Sequence, residues 1–494
     1  MEGRWKQLYE SLGYRPPAST KVTPSQHDAT RPREFQAEAP PPPPADTDLP
    51  VLGPEELEAL RAAFLREPED VLRWTETGLG ARVTVGAFVE VLRELELLFT
   101  DPGQLQERLD ATERQVRQGT GSLPADFTFP LKTEEIPIDP TRTRFEPRSD
   151  LRGWLLFSGP VWLEQGAAAR QAPFRWHFGS RSRFVYPLRE PEPGQPVEVA
   201  LFGDFGTGEY TSRYIARQLV MRGERLDCAV HLGGVFYAGR QGEFDAHVAE
   251  PLEPLLATTT LLTLNAAPEM RSGAGAYFRY LDERRGVGPR HPQEGSYFCL
   301  AAERFQLIGL DTAWFEPGRH REPALLQWLE QRLSEGRRRG AMNILLSHAA
   351  PYGPDRKRLS PLAEEDLRSL VVEREWVDLW CWAGAQGGAL YDRAPGLPFL
   401  GASLGHGGFP YPRQDPPKQP LAPVRFFESR PRFPEWTGVR QDQGNHGHAT
   451  LWLHADGSVV LRYTDWMGDV RCEATLARQG DRGPVTLKQL TAGE

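Results

Sequence analysis

Apolar positions fall into three regimes along the chain. Residues 1 to about 50 carry no periodic apolar face and end in Ala39-Pro40-Pro41-Pro42-Pro43-Pro44, a composition that cannot bury enough surface to fold and favours extended polyproline. This stretch reads as a tail or spacer, with docking to an SH3-like or WW-like groove as the alternative. From Gly53 to about Gly119, Leu57, Leu60, Ala63 and Phe64, then Phe88, Val91, Leu92, Leu95 and Leu98, recur at three- and four-residue intervals among Glu and Arg. That spacing predicts two or three amphipathic helices, with Pro54 in a first turn and Glu55 and Glu56 beside it favouring the positive end of the helix dipole. Asp150 to Leu188 (Trp154-Leu155-Leu156-Phe157, Val161-Trp162-Leu163, Phe174, Trp176 and Phe178, Phe184-Val185-Tyr186) reads as short strands broken by glycine and proline, a small β element.

From residue 196 the pattern becomes short, continuous apolar runs, as expected of strands buried on both faces. Val199-Ala200-Leu201-Phe202 stops at Gly203-Asp204-Phe205-Gly206-Thr207-Gly208-Glu209, and Ile215, Leu219 and Val220 then mark a helix face. Asp227 to Leu232 is the next strand and leaves through Gly233-Gly234-Val235-Phe236-Tyr237-Ala238-Gly239; Leu261 to Asn265 leaves through Ala266-Ala267-Pro268-Glu269. Strand, helix, strand units are parallel by preference, so these exits lie on one side of a sheet. Further on, Phe298 to Leu300 and Phe305 to Leu310 predict a hairpin, Asn343 to Ser347 a strand ending at His348, and Trp376 to Trp382 a strand ending at Ala383-Gly384-Ala385-Gln386-Gly387-Gly388. Leu397 to Leu404 then leads into Gly405-His406-Gly407-Gly408, and Thr450 to His454 with Val459 to Tyr463 form a hairpin about Asp456-Gly457. The predicted organisation is a tail (1–50), a helical segment (51–125), a small β element and linker (126–195), an α/β domain (196–478) and a C-terminal tail (479–494).

Composition narrows the function classes. With 494 residues the chain can bury a large core, and 58 Lys plus Arg against 67 Asp plus Glu, a formal net charge of −9, argues against coating nucleic acid or anionic membrane. The four cysteines, Cys228, Cys299, Cys381 and Cys472, form no CxxC pair and read as buried free thiols. The N-terminus lacks the apolar core of a signal peptide, and no run approaches the roughly 20 apolar residues that span a bilayer; the chain reads as cytoplasmic.

Chemistry enters at the strand exits. A carboxylate such as Asp204 at the carboxyl end of a strand suits a metal ligand or general base, while the plain alternatives are a helix cap for Asp204, a sheet-end filler for Tyr237 and a hydrogen-bonded interior residue for His348. Taken in order, GDFGTG (203–208), LGGVFYAG (232–239), AAPEMRSG (266–273), LDTAW (310–314), LLSHAAPYG (345–353), WAGAQGGALYD (382–392) and LGASLGHGGFPYP (401–413) resemble the calcineurin-like metallophosphoesterase family, and within it the branch similar to purple acid phosphatases, over residues 196 to 478. The resemblance implies a four-layer αββα sandwich. It also implies phosphate-ester hydrolysis by two divalent metals (Mn, Fe or Zn), about 3.5–4 Å apart, that generate a bound hydroxide.

Position by position, the resemblance makes Asp204 and Tyr237 ligands of the first metal and His348 a ligand of the second. It places Gly234 where the bridging aspartate stands, Ala267 where the asparagine ligand stands, Pro268 at the catalytic histidine, and Ala385 and Gly387 at the two histidines of the GHxH block. Gly, Ala and Pro supply no side-chain lone pair, whereas catalytic sites keep three or more protein ligands per ion. The expectation is a pseudoenzyme, impaired or inactive. The alternatives are an active phosphoesterase with a weak single-metal site of Asp204, Tyr237 and His348, or an interaction protein working through residues 1–120. Glu269, Gln386 and His406 are the remaining pocket candidates, and His446 and His448 lie near the last hairpin.

Overall fold

The computed structural model describes residues 52–79, 83–101, 104, 136, 138, 145, 151–165, 174–175, 183–283, 293–315, 323–354, 358–434, 441–480 and 483–493. The proline-rich tail and most of 102–150 lie outside the described residues.

The helical segment contains α1 (Pro54–Arg66), α2 (Pro68–Leu79) and α3 (Val85–Thr100). Pro54 opens α1 with Glu55 and Glu56 in the first turn, and the Thr84 side chain accepts from Ala87 N at 3.2 Å to cap α3. A fourth helix, α4 (Leu151–Gln165), corrects the sequence reading, which made Trp154-Leu155-Leu156-Phe157 and Val161-Trp162-Leu163 strands. Leu60, Phe64, Phe88, Leu95, Trp154 and Leu155 pack into one core, and a helix apolar on most sides has no clear period to betray it.

Two sheets follow. After β1 (Val185–Pro187), the Val199 run forms β2 (Val197–Phe202), followed by α5 (Tyr210–Met221) and β3 (Cys228–His231). Next come α6 (Gln241–Phe244), a π-helical turn Asp245–Ala249 and α7 (Glu250–Leu256), then β4 (Thr260–Thr263), α8 (Ala267–Met270) and α9 (Gly275–Glu283). The chain then crosses to the other sheet through β5 (Phe298–Ala301), β6 (Phe305–Leu310), α10 (Pro323–Arg339), β7 (Met342–Ser347), β8 (Leu379–Tyr391), β9 (Leu400–Gly405) and β10 (Val424–Phe427). It returns with β11 (Gly447–Leu453), β12 (Val459–Asp465), β13 (Val470–Arg478) and β14 (Val485–Ala492).

The second sheet runs β14-β13-β12-β11-β2-β3-β4, with β2, β3 and β4 parallel. The first runs β1-β5-β6-β7-β8-β10, with β9 paired to β8. Two expectations change here. Residues 485–492 are not a tail but pair antiparallel with β13, and β1 joins the main sheet beside β5 rather than forming a separate β element.

Three cores define four layers. Val199, Leu201, Val230 and Leu451 from one sheet meet Leu307, Ile344, Leu346 and Leu404 from the other. Ala200, Phe202 and Ala229 pack outward against Ile215, Leu219, Leu252 and Tyr277 of the helices. Ile308, Leu345 and Trp380 pack against Leu325, Trp328 and Leu329 of α10. This is the αββα sandwich, and a strand buried on both faces explains why the runs are continuous rather than alternating.

β8 has an unusual course. Leu379–Trp382 pairs with β9 from Leu400 upward, whereas Gln386–Tyr391 pairs with it from Gly405 downward, so β9 lies between the two halves of β8. The Ala383–Ala385 turn is therefore part of a sheet rather than a loose exit. Among the described residues, no helix is long and apolar enough to cross a membrane.

Candidate functional site

The exits of β2, β3, β4, β7 and β8 converge as the parallel order requires. Asp204 and His348, 144 residues apart, meet with Nε2 3.1 Å from Oδ1, both buried. Asp204 is held by its backbone: its N–H donates to Gly233 O at 2.9 Å, and its carbonyl accepts from Phe409 N at 2.9 Å. It has a left-handed φ of 52°, a conformation that a short polar side chain tolerates better than most. Asp204 is not a helix cap, because α5 starts at Tyr210 after Glu209, and Thr207 Oγ1 accepts from Glu209 N instead.

Gly234 lies against Asp204. Its φ is +98°, and a Cβ built there would sit 2.6 Å from Asp204 Oδ1 and 2.9 Å from Asp204 Cα. Glu269, from the short helix after β4, reaches this place instead: Oε1 accepts from Gly234 N at 3.0 Å, and Oε2 is buried with no protein hydrogen-bond partner. Burial pushes the Glu269 carboxyl up to about 7, opposed by the nearby His348 and by backbone N–H groups. Its carboxyl protonates more readily folded than unfolded, so its contribution to stability is complete below about 4.5 and is lost as pH rises through 7. Glu269→Gln keeps an acceptor for Gly234 N and is expected to stabilise the chain by up to about 3 kcal/mol at pH 8, with no gain at pH 4. Thermal melts across pH check this, and a gain independent of pH would contradict it.

The other predicted positions divide. Gly384 N donates to His348 O at 2.6 Å, which brings the Ala383–Gln386 turn onto the histidine. Ser403 Oγ donates toward the carbonyls of Ala385 (2.9 Å) and Gly387 (3.0 Å), so this turn offers backbone to the sheet and methyl or hydrogen to the site. Gln386 Nε2 is buried without a protein acceptor. Ala267 and Pro268 begin α8.

Tyr237 lies where the β3 exit meets the helical segment. Its ring packs 4.9 Å from Phe145, 6.0 Å from Trp154 and 6.0 Å from Phe409, inside the core of the helical segment. His406 is buried beside the site, and Gly407 N donates to Gly203 O at 2.9 Å, tying its loop to the Asp204 turn. Burial holds the His406 imidazole down at about 4, against the pull of Glu428. His446 Nδ1 lies 3.2 Å from His406 O, and His448 has no protein partner for either ring nitrogen.

Sequence reasoning missed three groups. His231, at the end of β3, stacks on Phe202 and bonds Thr263 Oγ1 through Nδ1 at 3.1 Å; burial lowers it to about 3. It was hidden inside an apolar run. Glu243 accepts from the N–H groups of Tyr237, Ala238 and Arg240 and so fixes the β3 exit; its place three residues after Arg240, at the third position of α6, was the available signal. Asn265 Nδ2 donates to Asp311 Oδ2 at 3.2 Å, joining the β4 and β6 exits across the two sheets.

The donors do not fit a dinuclear centre. Asp204 and His348 are bonded to each other, positions 234, 267, 385 and 387 carry no side-chain donor, and among the described residues no three His, Cys, Asp or Glu side chains are placed to share a cation.

No family model matches the chain, and no curated protein matches it. Solved structures do. Purple acid phosphatase PPD1 from yellow lupin (Lupinus luteus) seeds is 18% identical with a TM-score of 0.45, over 59% of this chain and 56% of the lupin chain, so the match spans about half of that enzyme. GAP50, the anchor in the inner membrane complex of Plasmodium, is 14% identical with a TM-score of 0.43, over 59% of this chain and 89% of that one. A dimetal phosphatase from Danio rerio is 14% identical with a TM-score of 0.38, over 57% of this chain and 98% of that one. At such identities and scores the likeness assigns no residue a role.

Proposed function

We propose that this protein is a pseudoenzyme built on a metallophosphoesterase-like sandwich, keeping the strand exits that would surround a phosphate ester without the donors that would activate water there. One observation carries the reading. Asp204 Oδ1 is engaged by His348 while Oδ2 is buried without a protein partner, and Gly234, which lies against Asp204, has a backbone that disfavours any side chain able to bridge two cations.

In the family chemistry a shared anion offsets the repulsion of two cations, and each ion takes further imidazole or amide ligands. Glu269 lies beside the vacated bridging position with Oε1 accepting from Gly234 N and Oε2 without a protein partner, so a single carboxylate oxygen remains there. Tyr237, facing an aromatic core, offers the weak single-metal alternative no support.

The test is the metal content of chain purified without chelators, together with nitrophenol release from mono- and diester substrates in the presence of added Mn, Fe or Zn. The expected result is well under one tightly held ion per chain and no turnover above the metal-ion blank. Two ions per chain with metal-dependent turnover would overturn the reading.

A further inference from the structure

Among the described residues, α1 to α4 contribute nothing to the three cores of the sandwich. Their own core instead closes over three aromatic residues of the loops that carry the site: Phe236, Tyr237 and Phe409. The junction is specific. The Arg271 guanidinium stacks 4.3 Å from the Trp154 ring centroid, while its Nη1 donates to Tyr237 O at 2.5 Å. The Trp154 ring meets Tyr237 edge-on at 6.0 Å, and Phe236 and Phe409 lie 4.1 Å apart beneath. From there the chain of contacts to the site is one hydrogen bond long, because Phe409 N donates to Asp204 O at 2.9 Å and Phe236 N donates to Gly206 O at 2.9 Å.

We infer that α1–α4 form a cover clamped over the Asp204–His348 site through Trp154, Arg271 and Tyr237, and that a molecule reaches the site only when this cover lifts. Three features point to a separable cover rather than a fixed layer. Its apolar core draws on the sandwich only at Phe236, Tyr237 and Phe409 among the described residues, and the clamp over that patch is a cation over a ring, which loses less on exposure to water than an interdigitated aliphatic seam does, while the helices add nothing to the cores between the sheets and their own helices. The aromatic rings supply the complementary part, since leaving Phe236, Tyr237 and Phe409 uncovered would expose a contiguous apolar patch beside a polar site. The inference concerns access and holds whether or not the site hydrolyses anything.

Hydrogen–deuterium exchange on the full chain tests it, comparing the parent with Trp154→Ala and Arg271→Ala. The expected result is exchange faster by roughly tenfold or more at the amides of Phe236, Gly239 and Phe409 and throughout α4, with β2, β7 and β11 unchanged. Trp154→Phe, which keeps an apolar ring, should fall between. If Trp154→Ala does not fold, Arg271→Ala gives the same reading without a core cavity. Unchanged exchange at Phe236 and Phe409 while α4 loosens would overturn the inference, because the helices would not be covering those loops. Acceleration of β2, β7 and β11 in step with α4 would overturn it as well, by making the helices an integral layer of the fold.

Discussion

Gly234→Asp, the substitution that a bridging carboxylate would require, is expected to destabilise the chain by roughly 3–5 kcal/mol rather than to recruit metal. Two costs add. The backbone at φ +98° is strained for any residue with a Cβ, and that Cβ would meet Asp204 Oδ1 at 2.6 Å and Asp204 Cα at 2.9 Å, the second contact being backbone that cannot swing aside. A new carboxylate would also lie beside the buried carboxylates of Asp204 and Glu269, so one of the three would take up a proton rather than ionise. Urea denaturation at pH 7.5 measures the loss. Gly234→Ala separates the backbone and contact costs from the charge, and a saturating concentration of Mn or Zn should recover little of the difference. A Gly234→Asp chain as stable as the parent, holding stoichiometric metal, would show that the β3 exit relaxes to a ligand geometry and that the site is one substitution from metal binding.

Acid is expected to unfold the chain well before its carboxylates are fully protonated. His231 and His448 are held by burial at about 3, His406 at about 4, and His446 well below its ordinary value. Each folded pKa lies below the unfolded 6.5, so between 6.5 and 4 the unfolded chain takes up a proton that the folded chain refuses, and stability falls as pH falls. Glu269, at about 7, and Asp465, raised by burial to about 6, work the other way, holding a proton in the folded state that the unfolded chain releases above about 4.5 and 3.8. Four imidazoles against two carboxyls leave a net of about two protons, or roughly 3 kcal/mol per pH unit between pH 6 and 4.5. Denaturant midpoints across that range check the slope. His448→Leu, which also removes two buried nitrogens without protein partners, should lower the slope by about 1.4 kcal/mol per unit. A parent slope near zero would mean that these imidazoles are charged in the fold.

The sandwich was legible because burial on both faces writes itself into continuous runs. Val199-Ala200-Leu201-Phe202, Cys228-Ala229-Val230-His231 and Asn343-Ile344-Leu345-Leu346 all form strands, and the glycines after the first two, with His348 at the end of the third, marked the exits that meet at one edge. Trp154-Leu155-Leu156-Phe157 failed for the same reason those succeeded. A short apolar run fits a doubly buried strand or a buried helix equally well, and Pro160 suggested a break where α4 continues through it. Residues 485–492 were missed because an edge strand with one face in water, Thr486, Lys488 and Gln489 among them, carries little apolar signal. At the site, spacing along the chain located the backbone positions well and the side chains less well. Nothing near Tyr237 announces that its ring turns to Trp154, a partner 83 positions earlier, and nothing near Glu269 announces that it accepts from the backbone N–H of Gly234.

The pairing of β2 with β11 has a consequence for how the chain is made. Leu201 is hydrogen-bonded opposite Ala449, so the strand that carries Asp204 lacks one of its two neighbours until nearly 250 further residues have been added. At about 5–20 residues per second that is a wait of roughly 12–50 s on the ribosome. During it an apolar strand, already paired with β3 on one side, holds a bare row of amides and carbonyls on the other. Such an edge is a template for the wrong partner, including the same strand on a neighbouring nascent chain. The last four strands supply the remedy, since β11 covers β2 and is followed outward by β12, β13 and β14. A chain terminated before residue 447 would therefore keep the whole Asp204–His348 edge and still be exposed along its middle, which makes the C-terminal hairpins the solubility element of a site that they meet at His406, whose carbonyl accepts from Gly447 N.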